Sequence, residues 1–371
     1  MDAAVLDELL GGSAREREES WRYSRNALRA LTQQEFATAP VPTQLPADLL
    51  QQFDWPETRA ARLVFVNGAY SQALSGTRIE IAHDANNHCE LNLPHDLGQA
   101  LHIVYVSVPG ATPSRWQMNT RIGLGRGRAS IIEQHVGVGG AEVFAAATSQ
   151  FVLERDTELS VTTISDLPDS CSLYRRQTVS VQAGARYRCT HALAGGRLQR
   201  FDLACDLAQA DARCEQRGVF ALRGRAHIDV QLDVRHAARD TASDVLWRGV
   251  ADQRARGILR GAITVAAGAD GSDAQLQTKN LLLSPHAEID AQPVLEIYAD
   301  EVKAAHGATV GQLDERALFY MRSRGIAAVT ARALLIAGFC REAFGAIDDT
   351  SLRAQLDAWL VRHLPLAGDA A

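Results

Sequence analysis

The sequence predicts a mainly β protein. Its core is a right-handed or irregular parallel β-helix over residues 61–311, with an N-terminal helical arm (1–60) before it and a small helical domain (312–371) after it. Three observations carry this expectation. Short pieces alternate apolar and polar residues, as in Ile228, Val230, Leu232 and Val234 set against Asp229, Gln231, Asp233 and Arg235. No helical period of 10–15 residues separates those pieces, which disfavours a βαβ sheet. A central region of about 250 residues is also large for one sandwich, whereas a solenoid grows by stacking each turn on its neighbour.

The arm reads as helical around Trp21, Ala27, Leu28 and Leu31, with Glu16, Glu18 and Glu19 ahead of them. Pro40, Pro42, Pro46 and Pro56 then break regular structure and predict a wrapped linker. The core opens with Leu63-Val64-Phe65-Val66 and the turn signal Asn67-Gly68. Further strands are expected around Ile258, Ile263 and Val265, among Gly257, Gly261 and Gly268. Residues Pro293 to Val302 read as an edge strand, with Leu295, Ile297 and Ala299 on one face and Glu296, Tyr298 and Asp300 on the other. Asp314 is placed to cap a helix that stops at Gly325. A second helix has Ala331, Leu334, Leu335, Gly338 and Phe339 at helical spacing. A third follows Asp349, Thr350 and Ser351, buries Leu352, Leu356, Trp359 and Leu360, and ends at Pro365.

Composition narrows the function. The chain has 371 residues, 46% of them hydrophobic and 22% charged, with a net charge of −6, so a nucleic-acid binder is not expected. Of the 38 basic residues only Lys279 and Lys303 are lysines. Neither follows a glycine-rich run and precedes Ser or Thr, so the chain carries no phosphate-binding P-loop. The start, MDAAVLDELLGG, is acidic, and no apolar run reaches the roughly 20 residues that span a bilayer; a cytoplasmic protein is expected. Six cysteines without C-x-x-C or zinc spacing read as buried free thiols.

No metalloprotease, nucleophile-elbow or dinucleotide string is present. The glycines of Gly123-Leu124-Gly125-Arg126-Gly127-Arg128 read as a turn rather than an anion nest. His83, His88, His95 and His102, with Asp84 and Cys89, are metal-ligand types, but their spacing points to surface or structural histidines. His191, His227 and His236 read as solvated strand positions. Asp229 and Asp233 could serve a carbohydrate-active β-helix enzyme as a pair of acids, although plain alternation explains them equally. His306, before Gly307, could ligate a soft or borderline metal at a subunit interface, or could be a turn histidine.

Residues 293–326, PVLEIYADEVKAAHGATVGQLDERALFYMRSRGI, resemble the C-terminal signature of the SufB/SufD family, in particular its SufD branch. TKNLLLSPHAEIDAQP (278–293), RLVFVNGAYSQALSG (62–76) and the arm around Glu18-Glu19-Ser20-Trp21-Arg22-Tyr23-Ser24 resemble the same family in order and spacing. The middle, 77–277, matches weakly.

The resemblance implies a non-enzymatic scaffold of the SufBCD iron–sulfur cluster assembly complex. It implies pairing with a SufB-like subunit through the β-helix and docking of a SufC-like ABC ATPase through the C-terminal helices. A homodimer is expected where the partner is absent. The resemblance also implies a role in iron supply and in cluster formation at the subunit interface. It makes His306 the candidate ligand of a transient cluster or iron shared with the partner, with none bound tightly by this chain alone. Relatives carry a Cys where this chain has Ala304, so a partner would supply thiolate. Glu301 and Lys303 are the nearest charged groups that could tune His306. Phe319, Tyr320, Met321, Arg322 and Arg324 fall in the region implied to dock the ATPase; Phe319 and Tyr320 could equally be core of the helical domain. A SufB-type scaffold is the alternative within the family.

Overall fold

The computed structural model describes residues 19–76, 81–84, 87–93, 98–345 and 347–364. Glu16, Glu18, His95 and Pro365 lie outside the described residues. Half of the chain is strand and a fifth is helix, arranged as a parallel β-solenoid of about eight turns with C-terminal helices. In chain order the first strands are β1 (Ala37–Thr38), β2 (Arg62–Val66), β3 (Ala69–Tyr70), β4 (Ala82–His83), β5 (His88–Leu93), β6 (Leu101–Ser107) and β7 (Ser114–Leu124). There follow β8 (Arg128–Gly137), β9 (Val143–Leu153), β10 (Glu158–Leu167), β11 (Cys171–Val181), β12 (Arg186–Gly195), β13 (Leu198–Leu207) and β14 (Arg213–Leu222). The last are β15 (His227–His236), β16 (Ala242–Ala251), β17 (Arg256–Val265), β18 (Asp273–Leu282), β19 (Glu288–Ile297) and β20 (Lys303–Gly311).

From β5 onward the chain alternates between two sheets. Odd strands pair with odd and even with even, all in parallel. Arg186 pairs with Arg213, Arg213 with Ala242, and Ala242 with Asp273, a step of about 30 residues per turn. Strict pairing in register turns the alternation of each strand into rows that run the length of the solenoid. Ile228, Val230, Leu232 and Val234 of β15 all face the interior.

The corners repeat as well. Asp156, Gly184, Asp211, Asp240 and Gly271 hold the left-handed backbone conformation two residues before an even strand. Each is followed by a small buried residue: Thr157, Ala185, Ala212, Thr241 or Ser272. A Cβ at Gly184 would lie 2.3 Å from Asp156 Oδ1, and one at Gly271 would lie 2.3 Å from Asp240 Oδ1. Glycine is therefore required where the aspartate of the turn beneath leans over it.

The two ends of the solenoid differ. At the N-terminal end, β3 folds back antiparallel on β2 through Asn67-Gly68, and β4 folds back on β5. These hairpins occupy the first sheet edges. At the C-terminal end, β19 and β20 each pair on one side only. The edge strand expected over 293–302 instead ends at Ile297, because residues 298–302 carry the chain across the corner to the other sheet.

The helices cover the outer faces. α1 (Arg25–Thr32) lays Leu28 and Leu31, with Trp21, on Phe144, Ala146, Tyr174 and Leu198. α2 (Ala47–Phe53) packs Leu49 and Phe53 on Val64, Val66, Val104 and Val136. At the C-terminus lie α3 (Glu315–Ser323), α4 (Ala328–Arg341) and α5 (Thr350–His363). α4 and α5 bury Ile336, Ala337, Cys340, Leu356, Trp359 and Leu360 against Ile164, Ala192, Val219 and Val250 of the even sheet. The face expected on α4 is rotated: Ala331 is buried but Leu334 is 48% exposed. Arg248, fully buried on β16, bonds Glu342 at 2.7 Å and fastens this layer to the solenoid.

All six cysteines are buried free thiols. The histidines correct the sequence reading. His191 and His236 are buried inside the solenoid, and His227 is half-buried, with Ser24 of the arm 3.1 Å from its Nε2. His236 continues the inward row of Ile228 to Val234 and bonds Thr241 and Ser243 at 2.8 Å. Asp229 offers no free acid. It is fully buried and accepts from Arg200 at 2.8 Å, from Gln231 at 2.6 Å and from Ser24.

Candidate functional site at the open end

β20 is a strand of small residues, Lys303-Ala-Ala-His-Gly-Ala-Thr-Val-Gly, that lies flat on β18. Ala304, His306, Ala308 and Val310 are in register with Ala274, Leu276, Thr278 and Asn280. Those four partners are buried and face the solenoid interior. The β20 residues continue the same inward rows, but no further turn covers them. His306 is accordingly exposed and Val310 is 44% exposed. On the odd sheet, β19 extends the inward rows with Ile289, Ala291, Pro293, Leu295 and Ile297. Ile297 is 41% exposed. Pro293, which cannot donate to a ladder, sits on the terminal strand where that lack is tolerated.

The mouth of the solenoid is thus an apolar rim with one imidazole in it. Of the inward-row side chains of β19 and β20, His306 alone can titrate or ligate a metal. Its nitrogens suit a borderline metal ion.

The other expected residues fall elsewhere. Lys303 lies on the outward row, in register with Asp273, so it faces away from His306. Glu301 is in the corner turn, where its carbonyl accepts from the Gly271 amide at 2.7 Å. Both line a corner groove with Asp240 and Asp273. Neither makes an ion pair or hydrogen bond to His306 among the described residues.

The cysteines do not reach the mouth. Burial pushes the Cys89, Cys171 and Cys340 thiols up to about 12 and Cys189 well above its usual value. Cys205 is raised by its contact with Cys214 and by burial. None of the six cysteines lies on β18, β19 or β20, so the chain places no thiol beside His306.

The histidine group near the N-terminal end divides. His83, its ring tilted against Tyr70 at 5.1 Å, and His88 border a groove of about 830 Å³ with Asp84, Arg121 and Arg176. His102 is buried against Trp55 and bonds Thr58 and Gln134 at 3.0 Å. Among the described residues no cluster of three or more His, Cys, Asp or Glu is arranged to hold a metal.

α3 forms as expected. Asp314 accepts from the Arg316 amide at 2.8 Å, and Gly325 takes the left-handed conformation past its end. It buries no residue. Phe319 and Tyr320 are 71% and 59% exposed, which removes the reading of these two as core. Arg324 stacks over the Tyr320 ring at 5.2 Å. Met321 is half-buried and Arg322 is exposed. No helix among the described residues is long and apolar enough to cross a membrane.

Of the rim residues, the sequence places Leu295 and Ile297 on one strand face but gives no sign of Ala308 and Val310. Their signal is the pairing register, which places them on the rows of Ile263, Val265, Thr278 and Asn280.

With this geometry in place, comparison with known proteins assigns the family. Residues 116–339 match the family described as SUF system FeS cluster assembly, SufBD core domain. The chain is 41% identical over 120 residues to the iron–sulfur cluster assembly protein SufD of Escherichia coli strain K12, covering 32% of this chain and 28% of that protein. It is 26% identical over 399 aligned positions to an iron–sulfur cluster assembly SufBD family protein of Synechocystis, covering 92% and 85%. A SufBD family protein of Mycobacterium tuberculosis is 29% identical over 248 residues, covering 65% and 62%. The chain thus spans less than two thirds of the length of the E. coli and M. tuberculosis relatives it matches. The match exceeds half of the chain, and the chain belongs to the SufBD family of SUF-system iron–sulfur cluster assembly proteins.

Proposed function

We propose that this chain is a non-catalytic, cytoplasmic scaffold of the SufD type. It pairs through its open end with a SufB-like subunit, and a transient cluster or iron is handled at that junction as cargo. The observation that carries the reading is the mouth itself. Two sheets end together with unpaired edges, their inward rows are apolar, and the one metal-binding side chain among them is His306. An exposed parallel edge is completed by another strand, and a partner solenoid supplies two at once. Docking would move His306 from solvent to an interior-like position, beside whatever thiolates the partner brings. Iron supply to that junction is part of the same proposal.

The exposed Phe319 and Tyr320, with Met321, Arg322 and Arg324, form the docking face for a SufC-like ATPase. α3 follows β20 after residues 312–314, so the nucleotide-driven partner would act close to the mouth. A second copy of this chain can occupy the same strand edges when the SufB-like partner is absent.

Co-expression with SufB- and SufC-like partners tests the assembly: all three should purify together on a tag carried by this chain. Recovery of this chain alone, with both partners soluble, would end the proposal. Within an intact complex, a full cluster yield from His306→Ala would remove His306 from the site while leaving the scaffold role standing.

A further inference from the structure

We infer that the solenoid interior contains a built water site that bridges its two sheets between Gln177, His191 and Gln216. Gln177 lies on β11 of the odd sheet, and His191 and Gln216 lie on β12 and β14 of the even sheet. All three side chains are buried, at 2%, 1% and 2% exposure. They line one small cavity of about 10 Å³, enough for the centre of one water molecule.

Each amide NH₂ group has a protein partner. Gln177 Nε2 donates to the Tyr187 hydroxyl, and Gln216 Nε2 donates to Cys214 Sγ at 3.6 Å. That leaves Gln177 Oε1, Gln216 Oε1 and both ring nitrogens of His191 without a protein partner. Buried polar atoms are almost always paired, and several orphans around one cavity mark a position where water completes the bonding.

One water can serve three of these four atoms. A water donates one hydrogen to each glutamine oxygen and accepts from the one N–H of a neutral imidazole. His191 is held for this role. It stacks on Trp247 at 5.6 Å and meets the Phe201 ring edge-on at 6.5 Å. Burial and the nearby Arg175 keep it uncharged. Hydrocarbon could fill this space only by leaving the four polar atoms unpaired.

A crystal structure of the full chain at a resolution that shows other buried waters tests the site. A density peak within hydrogen-bond distance of both Gln177 Oε1 and Gln216 Oε1 is expected; no peak there would overturn the inference. Gln216→Met gives an independent readout of opposite sign for a wet and a dry cavity. If water is bound, the variant takes away one of its partners, and Tm should fall by about 2 °C or more. If the cavity is dry, the variant removes an orphan oxygen at the cost of only the weak 3.6 Å bond to Cys214, and Tm should hold or rise. A held or raised Tm overturns the proposal. Should that variant not fold, the density at the wild-type site decides.

Discussion

His306 lies directly in register with Leu276, one turn beyond the last covered position of an inward-facing row. Leu276 is 5% exposed and belongs to the core, whereas His306 is open to solvent. The difference is one missing turn of solenoid. It makes His306 a residue that a partner buries rather than one that the chain itself uses.

His306→Ala should therefore leave the isolated protein nearly unchanged, with Tm within about 1 °C of wild type, because an exposed imidazole with no partner among the described residues contributes little. In a complex with SufB- and SufC-like partners, the same change should lower cluster yield by at least an order of magnitude. Thermal melting and the absorbance of reconstituted cluster check the two halves separately.

Glu133 and Arg175 form a fully buried pair, with Arg175 Nη2 at 2.7–2.8 Å from both carboxylate oxygens. Removing one partner strands the other charge. Arg175→Met should cost about 3–5 kcal/mol in denaturant unfolding. The double variant Glu133→Leu/Arg175→Met should recover most of that loss, because neither charge is then left behind.

The arm is fastened at Arg200. Its guanidinium lies 4.0 Å from the centre of the Trp21 ring and bonds the Ser20 carbonyl at 2.7 Å and Asp229 at 2.8 Å. Trp21→Ala should cost about 3 kcal/mol and expose the linker before β2 to protease. Limited proteolysis with mass spectrometry would locate the first cut; resistance equal to wild type would contradict the clamp.

Stability should depend on pH through the buried histidines. Burial lowers His102 and His191 to about 3, and His227 and His236 to about 4. The unfolded chain takes up these protons near pH 6.5, but the folded chain does not. Folding thus carries its full stability above about pH 6.5 and loses it progressively as pH falls toward 4 and then 3. Tm measured between pH 7.5 and 4.5 should drop steadily. His236→Asn should shallow that slope, and a flat profile would contradict it.

The fold was legible where local chemistry decides it. Alternation along β15, the turn at Asn67-Gly68 and the caps at Asp314 and Asp349 each follow from short-range rules. The 30-residue repeat is hidden in the sequence because it resides in corner positions where Asp and Gly substitute for each other, followed by Thr, Ala or Ser. His191 reads as solvated in the sequence because alternation alone does not say which strand face turns inward; the register does. The face of α4 departs from the expected stripe because the helix packs on the sheet and on its helical neighbours together, which buries more than one stripe. His306 could be selected from its motif, but its position on an inward row required the pairing of β18 with β20.

Amide hydrogen exchange on the complex with SufB- and SufC-like partners tests the central claim most directly. The open-end account predicts that backbone amides of β20 (Lys303–Gly311) and β19 (Glu288–Ile297) exchange faster in the isolated chain than those of β16 and become protected in the complex. Protection confined to the outer sheet faces, with β19 and β20 exchanging as in the free chain, would contradict it.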